Sequence, residues 1–227
     1  MSTFVLIHGA GSSASYWHLV QPRLEAEWHV VVAVDLPCDD DRAGLAEYLA
    51  TTLDAIGDRA DLVVVAQSMG GFTAPLVADR VPVDLIVLVA AMVPAPGESP
   101  GAWWDNTGHA EAMRTAALAD GRDPEDGDPS TLFLHDVPPA AIEGATVRPQ
   151  SGTPFEKPWP LAEWPDVPTR FLLCRDDRFF PADFQRRVVQ ERLGFAPDEM
   201  IGGHLPALAH PDELAARLLA YDAELRT

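Results

Sequence analysis

Val63-Val64-Val65-Ala66-Gln67-Ser68-Met69-Gly70-Gly71 is an apolar, β-branched run that stops at a serine set among small residues. The stretch after it, Met69 to Val81, reads as helix. A strand, a sharp turn and a helix with serine at the tip is the local form of a nucleophile elbow. Such a turn strains the serine backbone and brings other chain close, so the residues two before and two after must be small. Ala66 and Gly70 occupy those positions, with alanine where glycine is usual. The plainer reading is a turn serine that caps the helix. A serine hydroxyl is a weak nucleophile without a base, an acid to orient the base, and donors for an oxyanion. Whether the chain supplies them decides between the two readings.

The surrounding pattern supplies a scaffold. Phe4 to Ile7, Val30 to Val34, Leu62 to Ala66 and Asp84 to Ala91 are short apolar runs that read as buried strands. Between them lie an expected helix from Ala14 to Ala26 and an amphipathic one carrying Leu45, Leu49, Leu53 and Ile56, with Asp41 as its expected cap. Thr169 to Cys174 and Asp198 to Ile201 continue the series. Pro181 opens a helix bearing Phe184, Val188 and Leu193, and Pro211 opens a final one. Continuous apolar runs alternating with helices predict an α/β fold, a mostly parallel sheet of about six strands covered on both faces. Residues 93–168 break the pattern with many prolines, acidic loops and no strong strand, although Glu111 to Leu118 and Pro139 to Gly144 keep helical periodicity. This segment reads as an insertion packed on a single domain formed by residues 1–92 and 169–227. Its aromatic residues Trp103, Trp104, Phe133, Phe155, Trp159 and Trp164 are candidates for lining a pocket.

Open α/β sheets hold their sites at the carboxyl ends of strands, and this elbow architecture places serine, acid and histidine in that chain order. The acid falls in Arg175-Asp176-Asp177-Arg178, after the strand ending at Cys174. Spacing alone leaves Asp176 and Asp177 open, with ion pairs to the flanking arginines as the alternative use of either. The base is His204, which follows the last strand on Gly202-Gly203. His210 is the rival, while His18, His29, His109 and His135 lack a comparable placement. The oxyanion donors expected are the N–H groups of Met69, directly after the serine, and Ala10, in the loop after the first strand. His8 ends that strand and reads as a brace for the loop.

Bulk properties narrow the partners. The chain has 227 residues and a formal net charge of -19, with 35 acidic and 16 basic residues. That balance argues against nucleic acid and against anionic membrane surfaces, which need basic patches. Cys38 and Cys174 form neither a disulfide framework nor a zinc motif. No signal-peptide pattern precedes the first strand and no apolar run is long enough to span a bilayer, so a cytoplasmic setting is expected. No metal or organic cofactor is expected; the partner is a small-molecule substrate, and a homodimer is left open.

Taken together, Phe4-Val5-Leu6-Ile7-His8-Gly9-Ala10, Gln67-Ser68-Met69-Gly70-Gly71, Asp177 with Pro181 and Phe184-Gln185, and Gly202-Gly203-His204 resemble the α/β-hydrolase superfamily. Within it the chain looks most like the small branch of plant methylesterases, salicylate-binding esterases and hydroxynitrile lyases, with its many bacterial members. The resemblance implies a core sheet that lacks the first two strands of the larger fold, and a cap over the pocket formed by residues 93–168. Aligned through Phe184-Gln185, it favours Asp177 as the acid. The lyases carry Thr after the first-strand His and Lys after the catalytic His. Gly9 and Leu205 stand there in this chain, which points to the esterase branch. The expected function is a serine hydrolase cleaving a small, largely apolar ester or related acyl compound through Ser68, His204 and Asp177, by way of an acyl-enzyme intermediate. The alternatives are a cofactor-free lyase, dioxygenase or perhydrolase on the same fold, or a non-catalytic small-molecule binding protein.

Overall fold

The computed structural model describes residues 1–226. Six parallel strands form one sheet in the order β2-β1-β3-β4-β5-β6. They are β1 (Thr3–Ile7), β2 (Val30–Val34), β3 (Leu62–Gln67), β4 (Leu85–Val89), β5 (Thr169–Cys174) and β6 (Asp198–Met200). The central β1, β3 and β4 are buried along their whole length, because helices cover both faces. β2 is the edge strand and is only half-buried, where its run of valines had suggested an interior one.

Side chains alternate between two cores. Val5, Ile7, Val64 and Ala66 face α2 (Leu45–Ile56), α3 (Ala74–Ala78) and α8 (Ala182–Leu193). Phe4, Leu6, Val63 and Val65 face α1 (Gln21–Ala26), α9 (Pro206–Ala209) and α10 (Pro211–Leu225). Full burial of each large apolar side chain contributes about 1.5–3 kcal/mol, so register is fixed from both sides at once.

Three local expectations are corrected. The stretch from Ala14 to Ala26 is not one helix. It is a 3-10 turn at Ala14–Trp17 followed by α1, because Pro22 has no N–H and fits only a first turn. The segment after the serine opens as a 3-10 turn, Ser68–Phe72, and becomes α-helical only at α3; Gly70 and Gly71 disfavour regular helix, and Pro75 sits in the first turn of α3. Asp41 does not cap α2. Gly44 does, and its N–H donates to the Glu47 carboxylate at 2.8 Å.

Residues 93–168 add α4 (Pro100–Thr107), α5 (His109–Ala119), α6 (Pro129–Phe133) and α7 (Pro139–Glu143), and among the described residues they add no strand. Ser99 caps α4, its hydroxyl accepting from Ala102 N–H at 3.1 Å, and Pro100 takes the first position of the helix. Two polar contacts seat the segment on the rest of the fold: Arg192 of α8 reaches Glu98 at 2.8 Å, and Trp159 Nε1 donates to Phe72 O at 3.1 Å. Within the segment, Trp103 Nε1 donates to Val93 O at 3.0 Å. No helix among the described residues is long and apolar enough to cross a membrane.

Candidate active site

Ser68 stands at the end of β3 with φ of 51°, a left-handed conformation that costs a non-glycine residue about 1–2 kcal/mol. Its surroundings hold it there. Met92 N–H donates to Ser68 O at 2.9 Å, tying the turn to the end of the β4 loop. The tightest approach falls one residue later than the elbow pattern indicates: a Cβ on Gly71 would run into the Met92 carbonyl oxygen, whereas one on Gly70 would lie 3.1 Å from His8 O.

Two loops bring an imidazole and a carboxylate to the hydroxyl. His204 Nε2 lies 3.0 Å from Ser68 Oγ, and His204 Nδ1 lies 2.8 Å from Asp177 Oδ2. A carboxylate can only accept, so the Asp177 contact holds the proton on Nδ1 and leaves Nε2 free to take the hydroxyl proton. Asp177 has its second oxygen filled as well: Oδ1 accepts the N–H groups of Phe179 at 2.9 Å and Phe180 at 2.8 Å. The rings of Phe133, Phe179 and Phe180 meet His204 edge-on at 5.5, 5.1 and 4.9 Å and shield it from water.

Asp176, the alternative that spacing had left open, points the other way and accepts Gly202 N–H at 3.0 Å. Neither aspartate pairs with Arg175 or Arg178. His210 packs toward Asp136 at 3.6 Å and does not border the cavity at Ser68. His8 braces its loop: Nδ1 donates to Gly9 O at 2.7 Å and Nε2 accepts Leu36 N–H at 3.2 Å. Burial lowers its pKa, which keeps this neutral form.

Ser68 and His204 open onto a cavity of about 370 Å³. Ala10 and Met69 border it beside the serine, and Met69 N–H lies in the first turn of its 3-10 helix, where no internal acceptor exists. Of the six aromatic candidates, Trp104, Phe133 and Phe155 line the cavity, while Trp103 and Trp159 are buried core and Trp164 packs against that core. Ile142, Leu205 and Leu208 add aliphatic surface to this aromatic lining. Among the described residues no Asp, Glu, Lys or Arg lines the cavity. A larger open groove of about 1050 Å³ runs behind the acid turn past Arg175 and Arg178, and Ser68 does not reach it.

Sequence reasoning missed several supporting residues. Gln67 Nε2 donates to His204 O at 3.0 Å, and its place directly before the serine was a usable signal. Asp136 accepts Gly203 N–H at 2.6 Å, and His109 Nε2 bonds Phe179 O at 2.7 Å; both come from the 93–168 segment, where no periodicity marks them. Chemically, the arrangement can remove a proton from a buried hydroxyl next to an uncharged cavity.

The model of the alpha/beta hydrolase family matches residues 4–217. Methylesterase 3 of Arabidopsis thaliana is 28% identical over 253 residues, spanning 95% of this chain and 94% of that protein. Polyneuridine aldehyde esterase of Rauvolfia serpentina is 24% identical over 252 residues, again spanning 95% and 94%. Among solved structures, a pyrethroid hydrolase from Sphingobium faniae aligns with a TM-score of 0.77 at 22% identity, covering 98% of this chain and 97% of that one, a likeness of fold.

Proposed function

The chain belongs to the alpha/beta hydrolase family, and from that premise we propose that it is a serine esterase acting on a small, uncharged, largely apolar ester. Ser68 Oγ attacks the ester carbonyl as His204 Nε2 takes its proton. Asp177 holds the imidazole in the right tautomer and stabilises the imidazolium that forms. The N–H groups of Ala10 and Met69 receive the oxyanion of the tetrahedral intermediate. His204 then returns the proton to the leaving alcohol, and the acyl group remains on Ser68. A water molecule, deprotonated by the same histidine, attacks the acyl-enzyme and releases the acid. The residues 93–168 serve as the cap that roofs the cavity.

The observation that carries this reading is the continuous contact chain Ser68–His204–Asp177 at 3.0 and 2.8 Å, opening onto that cavity. The esterase names of the relatives support the choice of ester over other acyl compounds. The neutral lining supports an uncharged substrate, because an unpaired charge taken from water into such a cavity is heavily penalised. Leu205 after the histidine gives no cation for a departing cyanide, which favours hydrolysis over cyanohydrin cleavage.

The test is turnover of p-nitrophenyl acetate together with labelling by a fluorophosphonate probe. Wild-type protein should do both, and Ser68→Ala should do neither. Labelling retained in Ser68→Ala would sink the assignment.

A further inference from the structure

We propose that residues 93–168 do more than cover the cavity: two of their side chains, His109 and Asp136, are positioning residues that set the acid and the base of the Ser68–His204–Asp177 machinery. The inference rests on the reading of those three residues as the reacting set.

His109 opens α5 directly after Gly108, whose φ of 64° turns the chain from α4 into α5 in one residue. The turn places the imidazole among Trp103, Trp104, Phe179, Phe180 and Phe184, with ring centroids 4.9–6.2 Å away. There it is buried and neutral, since burial lowers its pKa. Its Nε2 faces the Phe179 carbonyl at 2.7 Å, which fixes the proton on Nε2 as a donor. Phe179 is the residue whose N–H donates to Asp177 Oδ1. One peptide segment is thus held at both ends, by His109 at its carbonyl and by Asp177 at its amide. A shift of α5 moves the acid.

Asp136 acts on the other loop. Its Oδ2 accepts Gly203 N–H at 2.6 Å, one residue before His204. The approach is close: a Cβ on Gly203 would lie 2.7 Å from Asp136 Oδ1 and 2.8 Å from His135 Nε2. Glycine there is therefore what lets residues 135 and 136 press against the base loop. With Asp176 on Gly202 N–H, both peptide donors preceding His204 end on carboxylates, and only one of those comes from the sheet framework. His210 and His135 flank Asp136 at 3.6 and 4.0 Å. Asp136 Oδ1 has no hydrogen-bond partner among the described residues, so an amide nitrogen placed there breaks no bond.

Neither residue touches the reacting atoms. Their loss should misplace the acid or the base by a fraction of an ångström, and displacement of about 1 Å can cost a hundredfold in rate. Four variants test this beside wild type. His109→Phe keeps the aromatic packing and removes the donor; His109→Gln restores a donor. Asp136→Ala removes the acceptor; Asp136→Asn keeps it. In His109→Phe and Asp136→Ala, kcat for p-nitrophenyl acetate should fall about tenfold with KM within about twofold. The two conservative variants should recover most of that loss. The far-downfield proton NMR signal of the Asp177–His204 hydrogen bond should shift or broaden in the first pair and return in the second. The signal is read without substrate, so it tests the positioning even if the ester is the wrong one. Wild type that neither turns over ester nor labels would overturn the esterase reading. An active wild type whose four variants match it in kcat and downfield signal would overturn the positioning role. So would a loss confined to KM.

Discussion

Asp176 and Asp177 are adjacent in the chain and serve different loops' needs from opposite sides of one turn: Asp177 Oδ2 meets His204 Nδ1 at 2.8 Å, while Asp176 Oδ2 takes Gly202 N–H at 3.0 Å. One carboxylate orients the ring and the other anchors the loop that carries it. The expected outcome is a sharp asymmetry. Asp177→Asn should lower kcat about a thousandfold or more, because an amide favours the wrong imidazole tautomer. Asp176→Asn keeps an acceptor for Gly202 and should stay within about threefold of wild type. Steady-state kinetics on p-nitrophenyl acetate check both.

The strain at Ser68 has a measurable size. Gly and Ala at position 68 both lack the hydroxyl, so comparing them isolates the backbone. Glycine relieves about 1–2 kcal/mol of left-handed strain and loses about 0.4–1 kcal/mol through its more flexible unfolded state. Ser68→Gly should therefore be the more stable in urea denaturation, by about 0.8 kcal/mol at mid-range. A more stable Ser68→Ala would show that the turn is not strained.

Glu98 gives the fold a pH dependence. Burial pushes its carboxyl up, but the hydrogen bonds from Arg192 and Asn106 outweigh it and hold the group below its ordinary value of 4.5. A depressed folded pKa means that the contribution is complete above the unfolded value and is lost as pH falls through the folded one. Wild-type Tm should decline from about pH 5 downward, and Glu98→Gln should flatten that decline. Glu98→Ala leaves Arg192 without its carboxylate, a side chain only 13% exposed, and should cost about 3 kcal/mol at neutral pH.

The aromatic residues of the 93–168 segment divide by role. Trp104→Leu removes cavity wall and should raise KM for a phenyl ester about three- to tenfold, with some loss of Tm because the ring also packs on Trp103 and His109. Trp159→Phe removes the donor to Phe72 O and should cost about 1–3 kcal/mol of stability, with KM unchanged. Thermal unfolding and KM measured on the same two proteins separate the effects.

By itself the sequence determined the strands, their parallel arrangement, the serine turn and the chain order of Ser68, acid and His204. Those features are written locally. Apolar runs such as Leu62–Gln67 report burial on both faces, and the glycines around Ser68 and before His204 report backbone that side chains would obstruct. The edge position of β2 was hidden because valine suits an edge as well as an interior strand. Spacing left Asp176 and Asp177 open and the family resemblance favoured Asp177, which lies against His204; tertiary structure alone decided which tryptophans line the cavity, and that His109 and Asp136 reach the two loops. Those contacts join residues 70 and 67 positions apart through loops without periodicity. Their direction is set by how helices α4 to α7 settle on the sheet, which no short stretch of sequence encodes.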